Sequence, residues 1–238
     1  MLTCEIEQDV LTMFPAVTVM ALRVEGIQGM TSAQIDFAAA LADNEALAFP
    51  AGDTTGLAGV TAIAEWRDAF KRQGLKPSEW RSSVEALVRR VMKDDDLVSG
   101  LAAVDLYNEA SVRHLAPLGA YDAARLPAGE MKMRLMGPAD TFTPLGTVKM
   151  PKGGTDNVVV YAIENEVLCF AINHRDSAMA ALREDTDCAV FFAEAVSSTQ
   201  RIHAEQALRY LADRFAAYGA LVGEIKIANA ETPRLEIA

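Results

Sequence analysis

Val158-Val159-Val160-Tyr161-Ala162 and, after Ile163-Glu164-Asn165-Glu166, Val167-Leu168-Cys169-Phe170-Ala171-Ile172 are two short runs of branched, aromatic and small apolar residues. Runs of this length and composition read as strands rather than helices. Met131–Leu135 before them and Cys188–Phe192 after them have the same texture, with a Gly-rich joint at Pro151-Lys152-Gly153-Gly154. The second run ends abruptly in Asn173-His174-Arg175-Asp176-Ser177, a polar cluster placed where a strand gives way to a loop.

Working outward, the preceding segments are helical. Val60, Ile63, Trp66 and Phe70 recur at helical spacing, and Gly74 with Pro77 ends that element. Ser82 and Glu85 form a capping-box pattern ahead of the stripe Val84, Leu87, Val88, Val91 and Met92, with Asp94-Asp95-Asp96 expected to be exposed beyond it. Leu101 to Leu115 reads as a further helix, stopping at Pro117-Leu118-Gly119. Nearer the N-terminus, Thr18 to Val24 predicts a strand, and a helix is expected from Thr31 or Ser32 to about Leu47. At the other end a long amphipathic helix carries Ile202, Leu208, Leu211, Phe215 and Tyr218 on one stripe, stopped by Gly219, before a weak strand from Glu224 to Ala228. No repeat or low-complexity linker interrupts the chain, so an α+β fold in one domain over residues 1–238 is expected.

Hydrophobic residues make up 51% and charged residues 23%, a globular profile, and no apolar run approaches the roughly 20 residues of a membrane span. Met1-Leu2-Thr3-Cys4-Glu5 places an acid where a secretory leader carries bases, and Cys4, Cys169 and Cys188 lack metal-ligand spacing. A cytoplasmic setting is expected, with no membrane partner. The net charge of −11 opposes charge-driven nucleic-acid binding, and no DNA partner is expected. One stretch runs the other way: Arg67, Lys71, Arg72, Lys76, Arg81, Arg89, Arg90 and Lys93 face only Asp68, Glu79 and Glu85. It is either a solvated helical face or a local RNA-binding patch in which Lys71, Arg72, Arg89 and Arg90 take part. There is no phosphate-binding Gly-rich loop, no His-x-x-x-His or Cys-x-x-Cys pair and no Gly-x-Ser-x-Gly elbow, so neither cofactor nor metal is expected.

Three ordered segments carry a resemblance. Arg81-Ser82-Ser83-Val84-Glu85-Ala86-Leu87-Val88-Arg89-Arg90 resembles a signature helix of free-standing B3/B4 proteins. Val104-Asp105-Leu106-Tyr107-Asn108, with Pro117-Leu118-Gly119-Ala120-Tyr121-Asp122, is similar to paired motifs of the phenylalanyl-tRNA synthetase β subunit. Asn173-His174-Arg175-Asp176-Ser177, followed by Asp185-Thr186, resembles an Asn-Trp-Arg-Asp-Ser stretch of the free-standing proteins. The chain thus looks like a free-standing relative of the synthetase's B3/B4 editing domain over about residues 60 to 196. The resemblance implies packed β layers with flanking helices around a pocket, in which water hydrolyses a mischarged aminoacyl-tRNA ester.

Two departures accompany it. Gly119 stands where the synthetase motif has His, and ungapped alignment from Thr186 puts Phe192 where the synthetase has a pocket Glu, Glu194 reaching that place after a two-residue shift. By resemblance, Asn173 and Arg175 are the catalytic candidates; Asp105, Asn108, Gly119, Tyr121, His174, Asp176 and Glu194 are the substrate-binding ones. Each has a plainer alternative: an Arg–Asp–Asn network that braces the loop, turn capping by Asp105, Asn108, Tyr121 and Asp122, and a solvated strand end for Glu194. His174, in place of Trp, is a candidate base. The functional expectations are a trans-acting editing factor with aminoacyl-tRNA as partner, a non-catalytic binder of a free amino acid, and a structural subunit with a vestigial pocket.

Overall fold

The computed structural model describes residues 2–30, 35–47, 49–50, 52–93, 97–147, 150 and 154–237. The N-terminal half runs β1 (Leu2–Ile6), α1 (Gln8–Met13), β2 (Thr18–Glu25), α2 (Phe37–Ala42), α3 (Thr61–Arg72), α4 (Ser83–Met92) and α5 (Ala102–His114). It continues as β3 (Leu118–Asp122), β4 (Met131–Leu135), β5 (Thr141–Phe142), β6 (Val159–Ile163), β7 (Glu166–Phe170), β8 (Arg175–Asp176) and β9 (Cys188–Ala195). The chain closes with α6 (Ser198–Ala217), β10 (Leu221–Val222), β11 (Lys226–Asn229) and β12 (Arg234–Ile237). The architecture is α+β with two sheets, as the sequence leads one to expect.

One sheet has the order β12-β1-β4-β6-β7-β5 with β8 against β7; the other is β10-β2-β9-β3 with β11 against β2. The second sheet is buried on both faces, and the period of two shows it. On β2, Val19 and Ala21 join the core shared with the first sheet and with α3 and α4, whereas Met20, Leu22 and Val24 pack with α5 and α6. On β9, Val190 and Phe192 take the first side, and Ala189, Phe191 and Ala193 the second. A strand covered on both faces has no polar side to present, so both read as continuous apolar runs.

Several local expectations change. The helix anticipated from Thr31 or Ser32 has its start outside the described residues. What is described is α2, capped by Asp36, whose carboxylate accepts from Ala39 N at 2.8 Å, and then a separate 3-10 turn at Glu45–Leu47. Asp94–Asp96 and residues 151–153 also lie outside the described residues. On α6 the buried stripe is Ala204, Leu208, Leu211 and Phe215; Ile202 is 60% and Tyr218 42% exposed. Ile202 sits six residues before Leu208, about a third of a turn round the helix from it, and Tyr218 caps the helix end. The capping box is half made. Ser82 Oγ accepts from Glu85 N at 3.4 Å, but the Glu85 carboxylate turns to Arg67 and Arg89. The strands β1 and β12, paired antiparallel, are absent from the sequence reading.

Candidate functional site

A cavity of about 250 Å³ opens where α4, α5, β3, β9 and the β7–β8 hairpin converge. Its volume lies under the roughly 300–1,000 Å³ of drug-sized ligand sites, a size suited to one small ligand. The hairpin turns sharply to reach it. Ala171 and Ile172 both adopt left-handed backbone, φ +56° and +62°, and both are fully buried. Left-handed backbone is unusual for alanine and an outlier for a β-branched residue. It is held by Ile172 N donating to Val159 O at 2.9 Å and Asn173 N donating to Ala171 O at 2.7 Å. Asn173 O in turn accepts from Ser83 N at 3.0 Å, tying the turn to the start of α4.

This turn delivers Asn173, His174, Arg175 and Asp176 to the cavity wall. Opposite them stand Asn108 from α5, Gly119 and Tyr121 from β3, and Glu194 from β9. Arg90 from α4 and Arg175 are exposed and mark the rim. Glu194 is only 4% exposed, so it is a pocket residue and not a solvated strand end. Burial pushes its carboxyl up to about 8; the charge of Asp176 adds to this, while the Tyr161 hydroxyl and Asn173 amide beside it pull back. Burial also lifts Asp176 to about 6, against the Cys169 thiol and the Arg175 cation.

The inner wall holds polar atoms without protein partners. Among the described residues, both amide atoms of Asn173 and one Glu194 carboxylate oxygen complete no hydrogen bond, and neither does the Tyr161 hydroxyl, which lies outside the cavity lining. Buried polar groups are normally paired, and each exception calls for a reason. Nor does Arg175 pair with Asp176 in an ion pair among the described residues, so the bracing network is not formed.

His174 is fixed differently. Its Nδ1 lies 2.7 Å from the Arg81 carbonyl, which can only accept, so Nδ1 carries the proton and Nε2 is the basic nitrogen. Burial holds its pKa below the usual histidine value, keeping the ring neutral at neutral pH. Its ring packs edge-on to Trp80 at 5.0 Å between centroids. The Cys169 thiol also lines the cavity, but burial pushes it well above its ordinary value, so it stays protonated and is no nucleophile.

Other anticipated residues fall elsewhere. Asp105 does not line the cavity; it is buried and accepts from Ser99 N at 2.7 Å, holding the approach to α5. Asp122 accepts from Ala124 N at 2.9 Å and Thr186 Oγ1 at 2.7 Å, bracing the turn after β3. The cationic segment is largely engaged in local contacts. Lys71 pairs with Asp68 at 2.7 Å, Arg72 stands 5.9 Å from the centre of the Phe14 ring, and Arg89 binds Glu85 at 3.0 Å and Thr54 at 2.9 Å. Tyr107 and Cys169 belong to the cavity and were not anticipated there, while Phe192, aligned with the pocket Glu, lines it beside Glu194. For Phe192 a signal existed: two apart on one strand, it and Glu194 share a face, so either register of the resemblance lands on the same wall.

Among the described residues no helix is long and apolar enough to cross a membrane, and no group of three or more His, Cys, Asp or Glu could hold a metal ion. No curated protein matches the chain significantly. A solved N-terminal fragment of the phenylalanyl-tRNA synthetase β subunit from Pyrococcus horikoshii is similar to it, with 12% identity and a TM-score of 0.47. That similarity covers 97% of this chain and 52% of the fragment, so the chain spans about half the fragment's length. Residues 65–216 match the model of the B3/4 domain. Every residue lining the cavity lies within that match, and the chain belongs to the B3/4 domain family.

Proposed function

We propose that the chain is an editing-like protein that binds aminoacyl-tRNA and hydrolyses a mischarged ester in trans. The observation that carries this reading is the single cavity joining partnerless polar groups inside, Asn173 and Glu194, to cations at the rim, Arg90 and Arg175. A small polar aminoacyl group would satisfy the former, and the phosphates of a tRNA end the latter. In the hydrolytic step water adds to the ester carbonyl, the bond to the tRNA oxygen breaks, and a proton moves to that oxygen. In this reading the Nε2 of His174 accepts the water's proton, and Asn173 and Arg175 donate to the developing oxyanion.

The test is deacylation of a panel of mischarged tRNAs at neutral pH against a blank without protein. The wild-type rate should exceed the blank for at least one substrate. Arg175→Ala should lower it at least about tenfold, a floor beneath the usual loss for one such donor, with an unchanged melting temperature because Arg175 is exposed. Rates equal to the blank throughout would end the hydrolase reading. RNA contact is tested by replacing Arg72 and Arg90 with Glu and measuring tRNA affinity against salt; weaker binding and a flatter slope are expected. Arg89 is the wrong probe, since it holds Glu85.

A second reading, a non-catalytic binder of a free amino acid, draws on Gly119. A Cβ there would lie 3.6 Å from the Asp176 carboxylate, so the side-chain position facing that acid is empty of any imidazole. The net charge of −11 favours the same reading.

A further inference from the structure

We infer that the inner end of the cavity receives a cation, the protonated primary amine of its ligand's side chain. This rests on the cavity being the substrate site, and it narrows the substrate class.

Two carboxylates, Glu194 and Asp176, line one small cavity, and neither takes part in an ion pair with Lys or Arg among the described residues. The other ionisable groups that bear on Glu194 are phenols or thiols: Tyr161 on β6, Tyr121 on β3, Cys169 on β7 and Cys4 on β1. The bases stand apart. Arg90 and Arg175 are solvent-exposed at the rim, and the His174 ring is neutral with its N–H turned away to Arg81 O. The inner wall is therefore acidic and the rim cationic.

An ammonium group brings three donors and a charge. Once the carboxyl is ionised, the free Glu194 oxygen joins Asn173 Oδ1 as an acceptor awaiting a donor in a buried place. A neutral hydroxyl would fill one acceptor and leave the carboxyl protonated. An ammonium would instead stabilise the ionised form, because an opposite charge at close range lowers a carboxyl pKa. With Glu194 held near 8 by burial, entry of an amine near neutral pH must expel a proton. Affinity for a cationic ligand then rises from about pH 6 to about pH 8, where the carboxylate forms more readily.

The experiment is calorimetric titration of the full chain with L-lysinamide, L-norleucinamide and L-tyrosinamide, in two buffers of different ionisation heat. All three share the α-amine and none is an ester. Lysinamide should bind at least about tenfold more tightly than norleucinamide, the measure of one well-paired charge, with net proton release. Glu194→Gln should bring that ratio near one, and Asp176→Asn should reduce it partly. Should Glu194→Gln not fold, the wild-type preference for lysinamide must grow between about pH 6 and about pH 8. Equal or tighter binding of norleucinamide or tyrosinamide overturns the inference, as does no lysinamide binding, a preference that survives Glu194→Gln, or one that is flat with pH. Lysinamide preference without tRNA deacylation would keep the inference and remove the hydrolase; deacylation without that preference would do the reverse.

Discussion

Glu85 on α4 and Glu194 on β9 are buried to nearly the same degree, 0% and 4% exposed, yet their surroundings are opposite. Glu85 lies under three guanidinium groups, Arg67 at 2.8 Å, Arg89 at 3.0 Å and Arg81 at 3.6 Å. Glu109 on α5 is treated likewise, by Arg113 at 3.1 Å and Arg214 at 3.0 Å. Glu194 has no such partner among the described residues and sits beside Asp176, which shares its sign. Burying a carboxylate is costly unless it is paired or neutralised by a proton. The helices use the first remedy and the cavity the second. A wall that keeps an unpaired acid is available to a ligand in a way that a satisfied one is not.

The largest effect is expected from Glu85→Gln. Removing one partner of a buried ion pair strands the other, at about 3–5 kcal/mol. Because the three arginine side chains remain 23–37% exposed, the lower end is expected, about 3 kcal/mol. Urea unfolding with an unchanged m-value measures it. If Glu194→Gln costs as much at neutral pH, the contrast is wrong.

Glu194→Gln should instead change the pH dependence. Since the folded carboxyl titrates at about 8, the folded protein keeps a proton that the unfolded chain sheds near 4.5. Its contribution is fully present below the unfolded value and is lost as pH rises through the folded one. The slope for one proton is at most about 1.4 kcal/mol per pH unit. From about pH 5 to about pH 7 the variant should gain on the order of 2 kcal/mol relative to the wild type. Parallel stability curves would show that Glu194 titrates alike in the folded and unfolded chain, with its buried charge stabilised by its surroundings. Asp176, raised to about 6, adds the same sign over a lower window.

Gly119→Ala is the finest probe. Gly119 has no left-handed φ, and the new methyl would meet Asp176 at ordinary contact distance, 3.6–3.7 Å. Stability should change by no more than about 0.5 kcal/mol, while added desolvation raises the Asp176 pKa further, observable by carbon-13 carboxyl titration. A fall in that pKa would mean that the carboxylate faces away from β3.

The sequence was most informative where one pattern had one outcome. The 60–70 stripe, the 84–92 stripe and the apolar runs of β6, β7 and β9 admit a single burial geometry, and those elements form. Pairs lying far apart were not legible. β12 alternates exposed and buried, but four residues are too few to announce a strand until β1 lies beside it. Glu85 drew attention as a cap because Ser82 is three residues away, although Arg81 and Arg89 stand at i−4 and i+4, a spacing that equally predicts ion pairs. For Glu194, pocket wall and solvated end were indistinguishable, since the choice depends on β9 running on beside β2 to Ala195, past its last pairing with β3 at Ala193. Asp105 and Asn108 share a helical face in sequence, but Ser99 takes the first and only the second reaches the cavity.

The left-handed pair Ala171–Ile172 has a consequence for binding kinetics. Such backbone costs of order 1–3 kcal/mol per residue and persists only when its surroundings over-determine it, here through bonds to Val159 and Ser83. A loop so constrained has few alternative shapes to lose when a ligand arrives, so association carries little ordering entropy. Relaxing the turn with Ile172→Gly would remove the conflict but enlarge the free loop's ensemble. Slower capture and a weaker complex would follow, even though every side chain that touches the ligand is unchanged.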